Sequence, residues 1–207
     1  MKTSNLYYNL CMKINKPIIL ASGSPRRLEI MHKHGLEPLV KPASVRETIP
    51  EYKSIEEVPM YLALIKGLNV LEETDLKEGI IISADTIVYL GDLKGPGTIM
   101  GKPADFQEAW SMLTILRSAS HYVITGICLI DIASGIKRVS NEITQVWFKD
   151  FSDEELTAYL NTDEAYDKAG AYAIQGTFGK YVSHFDGSYD NVVGFPWEKI
   201  EKELLLL

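Results

Sequence analysis

Hydrophobic and polar positions alternate along the chain between short apolar runs and stretches with helical spacing. The apolar runs predict strands at residues 17–21, 80–90, 122–132 and 143–148, with further extended segments at 39–45 and 180–185. Helical spacing predicts helices that begin near residues 25, 54, 105, 152 and 196. Strands that alternate with helices, with one glycine-rich hairpin at 91–97, predict an α/β fold with a mixed sheet.

Cap motifs support three of these helix starts. The pattern S-x-x-E occurs at 54–57 and 152–155 and is typical of a capping box. D-x-x-E at 105–108 opens the most amphipathic helix of the chain. No repeat or linker divides the sequence, so we expect a flexible extension at 1–15 and a single domain at 16–207.

The stretch SGSPRR at 22–27 joins the first predicted strand to the first predicted helix. Ser24 suits the helix N-cap, Pro25 suits the first helical position, and Gly23 would let the backbone turn sharply and approach a ligand. Two arginines then lie against the positive end of the helix dipole, where acids are preferred. The pattern favours a phosphate site, and the alternative is a surface turn with solvated arginines.

Asp85 interrupts a central strand that otherwise has the sequence of a fully buried one. Burial of an unpaired carboxylate is costly, so such a residue needs a metal, a cation or several hydrogen bonds. The alternative is an aspartate that backbone donors satisfy at a bend. We favour a functional carboxylate.

Other charged side chains lie at predicted element ends or in loops, where functional groups tend to be found. The candidate acids are Glu47, Asp85, Glu164 and Asp167, and the candidate cations are Arg26, Arg27, Lys66, Lys102 and Lys168. Together they predict a site where carboxylates hold Mg²⁺ and cations hold phosphate oxygens. The sequence lacks GxSxG, Walker-type and GxGxxG motifs, and we expect structural roles for the histidines.

The composition narrows the range of partners. The 207 residues carry a formal net charge of −7, which argues against binding to nucleic acid or to an anionic membrane. No apolar run approaches the roughly 20 residues that span a bilayer. Cys11 and Cys128 form neither a disulfide framework nor a zinc motif, which fits a cytoplasmic protein.

Five stretches in order resemble the Maf family of nucleoside triphosphate pyrophosphatases. They are SGSPRR at 22–27, SADT at 83–86, GKP at 101–103, DKAGAY with IQG at 167–176, and NVVGFP at 191–196. The resemblance implies a mixed, curved sheet flanked by helices, with two lobes and a central cleft, as in inosine-triphosphatase-like folds. It also implies metal-dependent cleavage between the α and β phosphates, which releases a nucleoside monophosphate and pyrophosphate.

The resemblance also implies residue roles. The catalytic residues would be Asp85, Glu47, Lys66 and Lys102, with Asp85 and Glu47 as ligands of Mg²⁺ or Mn²⁺. The residues that contact the nucleotide would be Ser22, Ser24, Arg26, Arg27, Thr86, Glu164, Asp167, Lys168 and Gln175. The pair Asp85-Thr86 is similar to the branch that acts on dTTP and UTP, and a homodimer is expected. The competing hypothesis is a nucleotide-binding regulator of cell division without significant turnover.

Three positions depart from the family pattern. Gly23 and Gly67 stand where alanine is usual, and Ala165 stands where proline is usual. Loss of the proline would loosen the loop that carries Asp167 and Lys168. We expect altered affinity rather than lost chemistry.

Overall fold

A computed structural model describes residues 16–49, 51–52 and 54–207. The flexible extension predicted at residues 1–15 lies outside the described residues.

Within the described residues, seven strands form a mixed sheet, which confirms the predicted α/β fold. They are β1 (Ile18–Leu20), β2 (Leu39–Val40), β3 (Ile80–Gly91), β4 (Gly97–Met100), β5 (His121–Asp131), β6 (Lys137–Phe148) and β7 (Val182–Asp186). The order across the sheet is β2-β1-β3-β5-β6-β7, and β4 pairs with β3 as a hairpin. β1 pairs in parallel with both β2 and β3, whereas β7 pairs antiparallel with β6.

The described residues form six helices, and all but α5 begin close to their predicted starts. They are α1 (Pro25–Lys33), α2 (Glu57–Glu72), α3 (Phe106–Ser118), α4 (Asp153–Leu160), α5 (Tyr189–Val193) and α6 (Trp197–Leu204), with 3-10 turns at Ala169–Ala171 and Thr177–Tyr181. The capping box of α4 and the Asp105 cap of α3 are confirmed by side-chain hydrogen bonds.

The predicted capping box at 54–57 is wrong. α2 begins at Glu57, and its N-cap residue is Glu56. The side chain of Glu56 caps no described backbone amide of the helix. The Ser54 hydroxyl instead donates to Glu56 Oε2 over 3.4 Å, and the Ser54 carbonyl accepts from the amide of Glu57. A turn therefore precedes the helix where the sequence pattern indicated its first residues.

Three further elements differ from the sequence expectation. β6 begins at Lys137, well before the predicted start, because the β5–β6 turn at Gly135 is short. β2 contains only Leu39–Val40, and the rest of the predicted extended segment makes no strand. The short helix α5 was not predicted, because its five residues are too few to show a period.

The chain falls into two compact units. The first contains the described residues up to Asp85, with Gly126–Asn141 and Gly194–Leu207. Its core packs α2 against β1, β3 and β5 through Ile19, Ala21, Ala63, Val70, Ile81, Cys128 and Ile130.

The second unit contains Thr86–Thr125 and Glu142–Val193. Its core is richer in aromatic side chains, which pack around the fully buried Phe178. The rings of Phe148, Phe151, Tyr159 and Tyr181 lie 4.6–5.4 Å from the ring of Phe178, centroid to centroid.

Candidate active site

Asp85 lies in β3 at the end of a run of fully buried residues, and its side chain is only 10% exposed. Strand β3 places it in the interior of a sheet, where the backbone is rigid. A carboxylate in this position needs a partner, because burial penalises its charged form.

Lys66 provides that partner from helix α2. Its Nζ lies 2.6 Å from Asp85 Oδ1 and 2.7 Å from Glu47 Oε1. The lysine side chain is 15% exposed, whereas that of Glu47 is 53% exposed. One ammonium group therefore contacts two carboxylates from separate segments, so the structure brings these three candidate residues together.

The electrostatics of Asp85 combine opposing effects. Burial raises the pKa of the Asp85 carboxyl above its usual value, while the Lys66 ammonium and the Arg27 guanidinium oppose that rise. Glu47 acts in the same direction as burial, because a second negative charge disfavours ionisation. A carboxyl with a raised pKa is better matched to accept a proton near neutral pH.

The SGSPRR stretch contains the end of the loop after β1 and the first turn of α1, and it lies in the same unit as Asp85. Ser24 occupies the N-cap position of α1, but its hydroxyl makes no cap hydrogen bond with the described residues, so that part of the prediction is wrong. The Ser22 hydroxyl instead accepts from the Ser24 amide over 3.2 Å. α1 has no acidic residue in its first turn, which leaves the positive end of the helix dipole without an internal anion.

The special backbone conformation predicted for Gly23 is not observed. A Cβ at this position would lie 3.5 Å from the nearest Pro42 carbon, which is ordinary van der Waals contact, and its φ is not in the left-handed region. Neither the backbone conformation nor the space around Gly23 requires glycine.

The two arginines differ in their surroundings. Arg27 donates from Nε to the Gly194 carbonyl over 3.0 Å, and from one terminal nitrogen to the Ser22 hydroxyl and the Ala84 carbonyl over 3.1 and 2.7 Å. Arg26 is half-buried, and no hydrogen bond or ion pair joins its side chain to another described residue.

The second unit contains the other predicted residues. These are Thr86 and the loop residues Lys102, Glu164, Asp167, Lys168 and Gln175. Thr86 is half-buried, and its hydroxyl is hydrogen-bonded to the Thr125 hydroxyl over 3.0 Å. Lys102 and Gln175 are exposed, and Lys168 forms an ion pair with Asp167. The Gly170 amide donates to the Gly101 carbonyl over 3.0 Å, so the loops of Lys168 and Lys102 are held together.

Glu164 has a defined structural contact. Its Oε2 accepts from the Thr177 amide over 2.9 Å and from the Thr177 hydroxyl over 3.2 Å. A Cβ on Gly176 would lie 2.3 Å from the same oxygen, so glycine is required there for the close approach. Glu164 thus fixes the start of the second 3-10 turn.

Comparison with known proteins identifies the family. The model of the Maf-like protein family matches residues 17–206. This chain belongs to the Maf family.

Three relatives of this Maf chain share one name. A protein of Alkaliphilus oremlandii is 41% identical over 185 residues and covers 89% of this chain and 93% of its own length. Proteins of Caldicellulosiruptor saccharolyticus and Caldicellulosiruptor bescii are each 40% identical, over 191 and 183 residues, and cover 91% and 87% of this chain and 94% and 89% of their own lengths. All three are named dTTP/UTP pyrophosphatase.

A solved structure, the nucleoside-triphosphatase or dITP/XTP pyrophosphatase of Mycobacterium abscessus, is 16% identical and gives a TM-score of 0.37. It covers 64% of this chain and 74% of its own. A similarity of this size does not establish a shared fold.

One motif of the Maf chain, NVVGFP at 191–196, includes two residues whose contacts the sequence did not reveal. In NVVGFP, Asn191 is fully buried and donates from Nδ2 to the Val123 carbonyl and the Thr144 hydroxyl over 3.0 and 2.9 Å. Its backbone carbonyl accepts from the Thr125 hydroxyl. Gly194 of the same motif has a φ of 100° and supplies a carbonyl to Arg27. The motif itself was the only signal in the sequence for these contacts.

The donor set of the Maf chain fits a hard divalent cation. Asp85 and Glu47 supply carboxylate oxygens that already share one cation, the Lys66 ammonium. The described residues contain no group of three or more His, Cys, Asp or Glu with metal-site geometry. Two carboxylates match Mg²⁺, which usually keeps several waters and takes further ligands from substrate phosphates.

No helix in the described part of the chain combines the length and the apolar character needed to cross a membrane.

Proposed function

We propose that this chain is a nucleoside triphosphate pyrophosphatase, which hydrolyses the α–β phosphoanhydride to a nucleoside monophosphate and pyrophosphate. The observation that carries the proposal is the buried Asp85 carboxylate, which shares the Lys66 ammonium with Glu47. The same unit contains Arg26 and the N-terminus of α1, where no described side chain makes a cap hydrogen bond. Membership of the Maf family and the names of the relatives support the same activity.

Asp85 and Glu47 are the residues that would hold Mg²⁺ or Mn²⁺. When bound, such an ion neutralises phosphate charge and lowers the pKa of water. Asp85 orients the attacking water and takes its proton, since its rigid strand fixes the carboxyl and burial raises its pKa. Lys66 balances the charge of both carboxylates and binds phosphate oxygens when the substrate is present.

Residues at the N-terminus of α1 bind the phosphates in this proposal. Ser22, Ser24 and Arg26 lie at a helix start that presents backbone amides and positive dipole charge. In the second unit, Lys102 and Lys168 add positive charge from two loops that the Gly170–Gly101 hydrogen bond holds together. Thr86, Asp167, Glu164 and Gln175 complete the set of nucleotide-contacting residues.

The proposed substrates are dTTP, UTP or modified pyrimidine nucleotides, because three relatives about 40% identical are named for dTTP and UTP. We also propose a cytoplasmic location, which the buried free thiol of Cys128 fits. A homodimer is proposed as well, since Leu205 and Leu206 at the end of α6 are 51% and 63% exposed.

The test is product analysis over a panel of purine and pyrimidine triphosphates with Mg²⁺, with Mn²⁺ and with a chelator. We expect equimolar monophosphate and pyrophosphate from dTTP and UTP, and no turnover with the chelator. Release of orthophosphate and diphosphate would contradict cleavage at the α–β bond. Tight nucleotide binding without turnover under every condition would instead support the regulator hypothesis.

A further inference from the structure

Arg27 contacts three separate segments of the first unit. Its guanidinium donates to the Ser22 hydroxyl before α1, to the Ala84 carbonyl in β3 and to the Gly194 carbonyl before α6. The second of these, at 2.7 Å, is the shortest, and its acceptor belongs to the residue that precedes Asp85. A single half-buried side chain therefore links the loop before α1, the strand that carries Asp85 and the last motif of the chain.

The acceptors explain why an arginine is needed. A guanidinium presents several donors in a fixed plane and can reach three oxygens in different directions. A lysine ammonium is a point charge on a flexible stem and cannot reproduce that arrangement. Arginine also keeps its charge when it is buried, and that charge favours the ionised form of Asp85.

Gly194 is adapted to this contact. Its φ of 100° lies in a region that L side chains rarely adopt, so the glycine allows the carbonyl to face the arginine. The next residue, Phe195, is fully buried and anchors the segment in the first unit. The backbone conformation of Gly194 thus lets the 191–196 motif supply a hydrogen-bond acceptor to Arg27.

We propose that Arg27 is a positioning residue that fixes Asp85 through the Ala84 carbonyl, and that phosphate binding by the arginine pair belongs to Arg26. The proposal rests on the proposed function and assigns different roles to two neighbouring residues that the sequence grouped together. Arg26 is suited to the phosphate role because no described side chain pairs with it. The hydrogen bonds of Arg27 to Ser22, Ala84 and Gly194 suit the positioning role.

The experiment compares Arg27→Lys with its matched control Arg26→Lys, after melting curves have shown that both variants are folded. For Arg27→Lys we expect kcat to fall about 10- to 100-fold while KM changes less than about 3-fold, since misplacement of a catalytic group affects the chemical step. For Arg26→Lys we expect the larger change in KM. Binding of the α,β-methylene analogue of dTTP should weaken in Arg26→Lys and remain nearly unchanged in Arg27→Lys.

Hydrogen exchange provides a measurement that does not depend on turnover. The amides of residues 82–86 and 193–196 should exchange faster in Arg27→Lys than in wild type, and at the wild-type rate in Arg26→Lys. If Arg27→Lys does not fold, Gly194→Ala tests the same link from the acceptor side and should lower kcat with little change in KM.

The proposal is overturned if Arg27→Lys weakens analogue binding as much as Arg26→Lys and leaves exchange at both segments unchanged. A wild-type chain that turns over no nucleotide would defeat the proposed function alone. The exchange data would still decide whether Arg27 holds the Asp85 strand.

Discussion

Replacement of Lys66 by methionine removes the cation that lies between two carboxylates. Its Nζ is 2.6 Å from Asp85 and 2.7 Å from Glu47. At an effective dielectric constant of about 20, unit charges at this distance attract each other by about 6 kcal/mol, most of which offsets desolvation. Removal of one partner from a buried ion pair lowers the free energy of unfolding by about 3–5 kcal/mol. The ion pair between Lys66 and the half-exposed Glu47 contributes about 1 kcal/mol or less to that free energy.

We therefore expect metal-free Lys66→Met to lose about 3 kcal/mol of unfolding free energy at neutral pH. For a chain of this length the loss corresponds to a melting temperature lower by about 6–12 °C. The assay is thermal unfolding with a chelator, followed by titration with Mg²⁺. Mg²⁺ should stabilise Lys66→Met more than wild type, because the ammonium and the metal ion compete for the same carboxylates.

Lys41→Met is the matched control, since Lys41 is a partly exposed lysine of the same unit, 3.8 Å from Glu73. Loss of that ion pair should cost less than about 1 kcal/mol and should leave the response to Mg²⁺ unchanged. The reasoning is refuted if Mg²⁺ stabilises wild type and Lys66→Met equally, because Lys66 would then not occupy the place of the metal ion.

Three further predictions follow from single residues. Burial raises the Asp85 pKa in the folded chain, so the stability that its protonated form contributes is lost as pH rises through that folded pKa. In urea unfolding with a chelator, the unfolding free energy of Asp85→Asn should therefore rise relative to that of wild type between about pH 4 and neutral pH. A difference between the two proteins that does not depend on pH would contradict the raised pKa of Asp85. Gly23→Ala should leave stability equal or up to about 1 kcal/mol higher, because its Cβ meets only Pro42 at ordinary distance. Gly67→Ala should cost about 1–3 kcal/mol, because its Cβ would lie 2.9 Å from the Ser83 hydroxyl. Denaturant midpoints measure both glycine variants, and equal midpoints for the two would contradict the packing argument.

The sequence predicted those features that depend on patterns within one segment. The long apolar runs predicted β3 and β5, and an aspartate in such a run predicted a paired carboxylate, which Asp85 is. The α4 capping box was predicted because both partners of its hydrogen bonds lie within four consecutive residues. The same motif failed at Ser54, where a turn precedes α2 and the local pattern is identical.

Contacts to backbone carbonyls could not be predicted in the same way. The acceptors of Arg27 at Ala84 and Gly194 are main-chain oxygens, which any residue type supplies, so the sequence carries no sign of them. The contact between Glu164 and Thr177 also escaped prediction, because the two residues are 13 positions apart and the segment between them follows no regular period. Such contacts decide whether a charged residue binds the substrate or holds the fold, and sequence motifs alone do not distinguish the two.

The most direct test of the proposed chemistry is the rate of pyrophosphate release from dTTP by wild type, Asp85→Asn and Asp131→Asn. Asp131 is the matched control, because it is another buried aspartate of the first unit and is paired with Lys16 away from the site. We predict that wild type and Asp131→Asn release pyrophosphate at similar rates below their melting temperatures. Asp85→Asn should be slower by at least about 100-fold, because loss of a general base alone costs about 10²–10⁴ in rate. Equal rates for wild type and Asp85→Asn would contradict the assignment of Asp85 as the base.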